Sequence, residues 1–536
     1  MNLLDLSNHQ DRVLPRMLRQ QAEQIPDSPF LLSDDQSLSF SDVERMSAAV
    51  ATGLVSLGVT KADRVALLLS NRLETVVIAL AVNRIGAVWV PICTDYKGEW
   101  LADAVKRSKP VLLFTEATYA DRVSSSIDNA SNLRVVMVGE KTIQVEQSIS
   151  YETLLENEPH TTDLSQLDVS DPVSIVWTSG TTGKSKGVML NHNNWIRPTV
   201  LGSSVFYESR EGDVIFNVLP LYHAAAWNTA IFRALIEGIP VVVESGFSVT
   251  NFWDRIHKFS ATQTFTLGAM HMFLWQAPET SKDADTSLRI MQAIPMPNAI
   301  KPGFEKRFGL TVVGGGLGQS ECMLITTTAG CEGEIPPNSI GLPKDDTDIG
   351  LFDDNDQEVV RGEVGEIRIR PLVPNVVCNG YFDDPEATEA AWKDGWYCTG
   401  DLGRQDEQGF YFFADRKKDS IRFAGRNIST LEVEGVVRQH PDVADVAAYG
   451  IPAKELEGED ELKIDLVLKE GSTLGFEEMA QFINNNAPYY FVPRYMELVS
   501  SLPYTPTNKV QKFKLREQGL GVDVWDRSDS QYVVQR

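Results

Sequence analysis

The chain has 536 residues, 43% of them hydrophobic, and a formal net charge of −25 from 49 basic and 74 acidic side chains. That length exceeds what one core supports, so at least two domains are expected, and the apolar content excludes bulk disorder. The acidic balance argues against a nucleic-acid partner and an anionic membrane surface, which need a basic footprint, while a nucleotide held by a few local donors remains compatible with it.

Met1 to Gln20 carries charges throughout and lacks the apolar core of a secretory leader. The most apolar stretch, Val76 to Cys93, is interrupted by Asn83 and Arg84. It reads as a buried helix (Glu74 to Val82) followed by a strand (Ala87 to Ile92), not as a membrane span. Between residues 40 and 330, short strand-like runs alternate with helical patterns: Val65 to Leu69, Val111 to Phe114, Val135 to Val138, Ser174 to Trp177, Val214 to Val218, Val241 to Val243 and Thr264 to Leu267. This predicts an α/β fold with parallel or mixed sheets covered by helices. Over about 339–413, turns such as Gly341-Leu342-Pro343, Arg361-Gly362-Glu363 and Glu407-Gln408-Gly409 punctuate short strands, which predicts a small antiparallel β-rich subdomain. A compact, charged α+β segment follows. The expected division is therefore a large domain over 1–416 and a smaller one over 417–536. Cys93, Cys322, Cys331, Cys378 and Cys398 are scattered without a CxxC pair, which argues against zinc and disulfide frameworks and fits a reducing cytoplasm.

The stretch richest in chemistry is Thr178-Ser179-Gly180-Thr181-Thr182-Gly183-Lys184-Ser185-Lys186-Gly187. It follows a β-branched run (Val173, Ile175, Val176), and a helix is expected after it. Glycines let backbone N–H groups turn toward a polyanion, while the hydroxyls and lysines add donors and positive charge. A P-loop needs glycine where Thr178 stands, so that spacing fails. A plain surface loop is the bland alternative.

Five further segments carry polar groups in ordered spacing: Leu219-Pro220-Leu221-Tyr222-His223, Gly314-Gly315-Gly316-Leu317-Gly318-Gln319-Ser320-Glu321, Thr399-Gly400-Asp401, Asp415-Arg416-Lys417-Lys418-Asp419, and Leu502-Pro503-Tyr504-Thr505-Pro506-Thr507-Asn508-Lys509. A dinucleotide fingerprint at Gly314 and Gly316 fails because Gln319 stands where glycine or alanine is required. Together with the loop, these segments cover about 170–515 and resemble, in order, the signatures of the adenylate-forming superfamily of acyl-CoA synthetases, luciferases and peptide-synthetase adenylation domains. The chain departs from those patterns at Ser185 (usually proline), Leu317 (usually tyrosine), Asp415 and Asn508 (usually glycine).

The resemblance implies a function: ATP- and Mg2+-dependent conversion of a small carboxylic acid to acyl-AMP, then transfer of the acyl group to the thiol of CoA. It also implies roles for individual residues. Thr178, Ser179, Gly180, Thr181, Thr182, Gly183, Lys184 and Lys186 would cradle the phosphates. Gly315, Gly316 and Leu317 would pack on adenine, with Gln319 beside them. Ser320 would meet the α-phosphate, Glu321 would hold magnesium, Asp401 would bind the ribose hydroxyls and Arg416 ribose or phosphate. His223 would line the carboxylate site, and Lys509 would be the catalytic lysine. Lys418 would be the hinge of a mobile C-terminal domain that swings the Gly425 loop toward the pantetheine arm.

Acyl-pocket candidates are Trp227, Gly268 and Met270, each equally readable as core. Ala224-Ala225-Ala226-Trp227-Asn228 lacks the acid that amino-acid-activating relatives place there. Pro488 to Tyr495 resembles a YFxVPRY segment of the carnitine/crotonobetaine–CoA ligase branch, which points to short or medium polar acids. Loading of a carrier protein, and a catalytically silent nucleotide binder, are the alternatives; a homodimer is compatible with the family.

Overall fold

The computed structural model describes residues 3–126, 133–139, 148–178, 185–281, 283–417, 421–423, 426–453, 460–505 and 509–535. The chain divides into two compact units, the first built from residues up to 178, 186–348 and 370–397, the second mainly from 349–369 and 398–536.

Two seven-stranded sheets form the first unit. One contains β1 (Arg64–Leu68), β2 (Val88–Pro91), β3 (Pro172–Trp177) and β4 (Gly187–Asn191). Its strands run parallel, except that β4 runs antiparallel to β3 with Trp177 opposite Gly187. The other follows the order Thr311–Val313, Ile290–Ile294, Gln263–Leu267, Ile215–Asn217, Val241–Val243, Pro29–Leu32, Ser37–Ser39, and is parallel apart from the last strand. The continuous apolar runs in the sequence follow from this arrangement, because strands covered on both faces need no polar side.

Helix α1 (Leu73–Arg84) shows why the most apolar segment does not span a membrane. All its residues except Glu74 are buried, and it breaks where Asn83 donates to the carbonyls of Ala87 and Val173 (3.2 and 2.9 Å) and Arg84 pairs with Glu44 at 2.6 Å. Each buried Val, Leu or Ile contributes about 1.5–3 kcal/mol, which places the helix at the heart of the core. Among the described residues no helix is long and apolar enough to cross a membrane.

In the second unit, a four-stranded sheet follows the order Val443–Pro452, Asp460–Leu468, Tyr495–Leu498, Trp525–Asp526. Its apolar face packs with Val433 and Val437 of helix α2 (Thr430–Val437) and with Met479 and Ile483 of Phe476–Asn486. The expected α/β class, with a smaller α+β C-terminal part, is what the structure has.

Candidate active site

The phosphate-loop candidate connects β3 to β4. At its base the Thr178 N–H donates to the Lys186 carbonyl (2.9 Å) and the Lys186 N–H to Thr178 Oγ1 (3.2 Å). The helix expected directly after the loop is displaced by β4. The apolar run Val188-Met189-Leu190 completes the sheet first, and the helix His192–Pro198 starts only where Asn191 and Asn194 form a reciprocal capping box. Ser179, Gly180, Thr181, Thr182, Gly183 and Lys184 lie outside the described residues, as do Lys418 and Gly425.

Beyond Gly314 the chain forms a second hairpin, β5 (Gly316–Gln319) with β6 (Cys322–Thr327), whose two-residue turn is Ser320-Glu321. The glycines permit close backbone contact: a Cβ on Gly316 would lie 2.8 Å from the Thr326 carbonyl oxygen, and one on Gly318 2.3 Å from that of Met323. Leu317 and Gln319 stay partly exposed on β5. Residues 378–382 then join the two hairpins. The N–H groups of Asn379 and Phe382 donate to Met189 and Gly187 on β4 (2.8 and 2.7 Å), and the Cys378 N–H donates to the Glu321 carbonyl (2.8 Å).

That splice brings three sequence-distant groups together. The Tyr381 hydroxyl donates to Glu321 Oε1 at 2.8 Å, and the Lys186 ammonium lies 4.5 Å from the centroid of the same ring. Tyr397 donates to Gln319 Oε1 at 3.3 Å. Burial raises the pKa of both phenols, and the Glu321 carboxylate adds to it, so both remain O–H donors at neutral pH. Burial likewise pushes the Cys378 thiol up to about 12, with Glu321 again contributing. In the sequence, Tyr381 is marked only as a lone phenol between two of the signatures.

The remaining candidates of the first unit cluster at one sheet edge. Leu219 to His223 follows the strand Ile215–Asn217, Gly268 and Met270 follow Gln263–Leu267, and Gly315 follows Thr311–Val313. These strands are parallel members of one sheet, so all three segments leave its carboxyl edge, where ligands of open α/β sheets bind. The Asn71 side chain fixes the first segment, donating to the Leu219 carbonyl (2.9 Å) and accepting from the Leu221 N–H (2.7 Å); His223 packs edge-on against Tyr222 at 4.6 Å. Gly268 adopts φ +47 before the helix Ala269–Gln276, with open space where a Cβ would stand, and Met270 is half-buried. Trp227 lies in the core: 1% exposed, 4.6 Å from the Trp89 ring, its indole N–H donating to the Leu221 carbonyl at 2.7 Å.

β7 (Trp396–Gln405) pairs with β8 (Tyr411–Arg416) so that Asp401 stands opposite Arg416, both residues of the second unit. Asp401 is buried, and the Arg416 guanidinium reaches its carboxylate at 2.7 Å. Lys509 pairs with Thr505: its carbonyl accepts from the Thr505 N–H (2.8 Å) and its N–H donates to Thr505 Oγ1 (3.1 Å). The residue is exposed as a whole, yet atoms packed around its ammonium, and then the Arg416 guanidinium, lower its pKa, while Asp401 opposes the shift. Asp401, Arg416 and Lys509 thus lie within electrostatic reach of one another.

Residues 18–382 match the AMP-binding enzyme family and residues 432–509 the AMP-binding enzyme C-terminal domain. The crotonobetaine/carnitine–CoA ligase of Salmonella agona (strain SL483) is 31% identical over 492 residues, covering 90% of this chain and 93% of the ligase. The crystal structure of the anthranilate CoA ligase AuaEII with anthranoyl-AMP superposes with a TM-score of 0.83 at 24% identity, covering 94% and 96% of the two chains. O-succinylbenzoate CoA synthetase (MenE) from Bacillus subtilis, in complex with ATP and magnesium ion, gives 0.78 at 26% identity, covering 94% and 98%. The chain therefore belongs to the AMP-binding enzyme family, as an acid–thiol ligase of the AMP-forming acyl-CoA synthetase type.

Proposed function

We propose that this enzyme activates a small polar carboxylic acid on the Lys186–Tyr381–Glu321 cluster and passes it to free CoA. A carboxylate is a poor acyl donor because its leaving group would be an oxide. Attack on the α-phosphorus of ATP expels pyrophosphate and turns that oxygen into part of AMP, a far better leaving group. Such a step asks the protein mainly for positioning and charge neutralisation.

The observation that carries this reading is the shared tyrosine. Lys186, at the base of the phosphate loop, and Glu321, in the Ser320-Glu321 turn, meet on one ring, so a cation for phosphate and a hard carboxylate oxygen lie at one place. Glu321 suits Mg2+, which takes one or two carboxylates and completes its shell with phosphate oxygens and water. When bound, the ion would neutralise charge on the phosphates. Tyr381 orients the Glu321 carboxylate through Oε1, and Thr178 and Lys186 close the base of the loop.

Asp401 and Arg416 would hold the ribose end, and Lys509 would neutralise charge between the acid and the α-phosphate. In the second half-reaction the CoA thiol attacks the acyl carbon and AMP leaves. Lys509 is then no longer needed, and the C-terminal domain would turn about Lys418 to bring up the Gly425 loop. His223, Gly268 and Met270, at the carboxyl edge of the sheet, would bound the acid. The relative's name suggests crotonobetaine and carnitine as first acids to try, and the absence of an acid in Ala224 to Asn228 speaks against amino acids. We place the enzyme in the cytoplasm and its acceptor as CoA.

The test is AMP release with ATP, Mg2+ and CoA across a panel containing crotonobetaine, carnitine, o-succinylbenzoate and straight-chain C2–C8 acids. CoA-dependent release with a polar acid is expected. Release that requires a phosphopantetheinyl carrier protein in place of CoA would move the assignment to carrier loading. No pyrophosphate exchange with any acid, despite ATP binding, would overturn the reading.

A further inference from the structure

We infer that Asp415, Thr430, Lys512 and Glu434 form a buried latch that holds the Lys509 segment beside Arg416 during adenylate formation, acting as positioning residues and not as catalytic ones. The inference rests on the reading of Lys509 given above. Asp415 is the penultimate residue of β8, next to Arg416, and is 2% exposed. One of its oxygens, Oδ2, accepts two bonds from Thr430: from the backbone N–H at 2.6 Å and from the hydroxyl at 2.9 Å. Thr430 opens helix α2, so Asp415 caps a helix N-terminus across fifteen residues of chain that include the proposed hinge, Lys418.

The same hydroxyl accepts from the ammonium of Lys512 at 2.7 Å, and that ammonium pairs with Glu434 Oε1 at 2.8 Å. Glu434 is also buried, and Oε1 accepts the Ala448 N–H at 2.9 Å, which ties the cluster to the strand Val443–Pro452. Lys512 starts helix α3 (Lys512–Gln518), three residues beyond Lys509. One path of short bonds therefore runs from the strand bearing Arg416, over the start of α2, to the segment bearing Lys509. A parallel bond, Ser429 Oγ to the Ala414 carbonyl at 2.7 Å, reinforces it.

A cluster of two carboxylates and one ammonium, all out of water, is a poor choice for stability alone, because well-packed apolar residues commonly do as well. Its value lies in definition. Each bond from Asp415 is charge-assisted and directional, and none survives unless residues on both sides of Lys418 hold one arrangement. Any motion about Lys418 that withdraws Lys509 must break the two Asp415–Thr430 bonds first. The latch thus favours the state that places Lys509 for the first half-reaction and must open for the second.

The experiment measures both half-reactions separately for Asp415→Asn, Thr430→Val and Lys512→Met: ATP–pyrophosphate exchange with the best acid of the panel, and thioester formation from the synthetic acyl-adenylate of that acid plus CoA. Loss of a charge-assisted buried bond corresponds to about 10–100-fold, so exchange should fall by that factor while thioester formation holds or rises. Thr430→Ser, which keeps the hydroxyl, should restore exchange. Equal loss of both half-reactions, or unchanged exchange in folded Thr430→Val, overturns the latch. Lys509→Ala run alongside separates the layers. If it spares exchange, the catalytic reading of the lysine fails; if it abolishes exchange while the latch variants match the parent, only the latch fails.

Discussion

Tyr381→Phe isolates the contact on which the site is built. The substitution removes one oxygen, keeps the ring, and so leaves the Lys186 contact at 4.5 Å in place, worth about 0.5–1 kcal/mol. What it deletes is the 2.8 Å bond to Glu321 Oε1. A hydrogen bond to a charged group contributes about 1.5–3 kcal/mol, and because Glu321 is only half-buried, water can take over part of that role. The lower end, about 1.5 kcal/mol, corresponds to roughly a tenfold drop in the rate of adenylate formation. The assay is ATP–pyrophosphate exchange over a magnesium titration, in which the variant should need more magnesium to reach half its maximal rate. Since the raised phenol pKa keeps the donor protonated, the ratio of variant to parent should not vary between pH 6 and 9. A double-mutant cycle with Glu321→Gln should give a coupling of about 1 kcal/mol. Exchange within twofold of the parent at every magnesium concentration would show that Tyr381 does not orient the carboxylate, and the cluster would lose its claim to be the phosphate site.

Lys509→Ala should lower pyrophosphate exchange by about two to three orders of magnitude, the scale of a lost charge-stabilising group, while thioester formation from supplied acyl-adenylate is spared; equal loss of both would refute its role. The lowered pKa of Lys509 sets a pH signature. The working form is the cation, so exchange should decline as pH rises through a value below the ordinary 10.5. The folded state binds this proton less tightly than the unfolded chain, so the same rise in pH, up to 10.5, relieves a destabilisation instead of adding one. A pH–rate profile beside a pH–stability profile checks both signs, and a decline starting only above 10.5 would contradict them. Trp227→Ala, which empties a site 1% exposed among Trp89, Trp195 and Phe232, should cost about 3–5 kcal/mol in denaturant unfolding. A loss under 1 kcal/mol with altered acid preference would instead put the indole in the acyl pocket.

Local pattern carried much of the architecture. The expected helix from Glu74 to Val82 is α1 less a residue or two at each end, and the expected strands at Val65, Val135 and Val241 fall on parallel sheet members, because short β-branched runs between helices fit a sheet covered on both faces. The carboxyl-edge clustering of Leu219 to His223, Gly268 and Gly315 could not be read from spacing, since it depends on which strands are neighbours. Tyr381 was illegible for a related reason. Its partner Glu321 is sixty residues away, and the two meet only because residues 378–382 add to the edge of β4. The latch is harder still to read, being three charged or polar side chains from 415, 430 and 512 that share one hydroxyl.

The error over the segment after the phosphate loop has a chemical consequence. Had a helix followed directly, its N-terminal N–H groups and macrodipole would have faced the phosphates, each interaction of that kind adding about 0.3–1 kcal/mol. Instead β4 follows, and the first helix beyond it has its N-terminus already satisfied by the Asn191–Asn194 box. On the proposed reading, the positive charge for a triphosphate would come from side chains, such as the lysines at 184 and 186, in a chain whose net charge is −25. It also gives Tyr381 a second purpose, since a ring stacked under the Lys186 ammonium holds that charge at the base of the loop without neutralising it, as a carboxylate partner would.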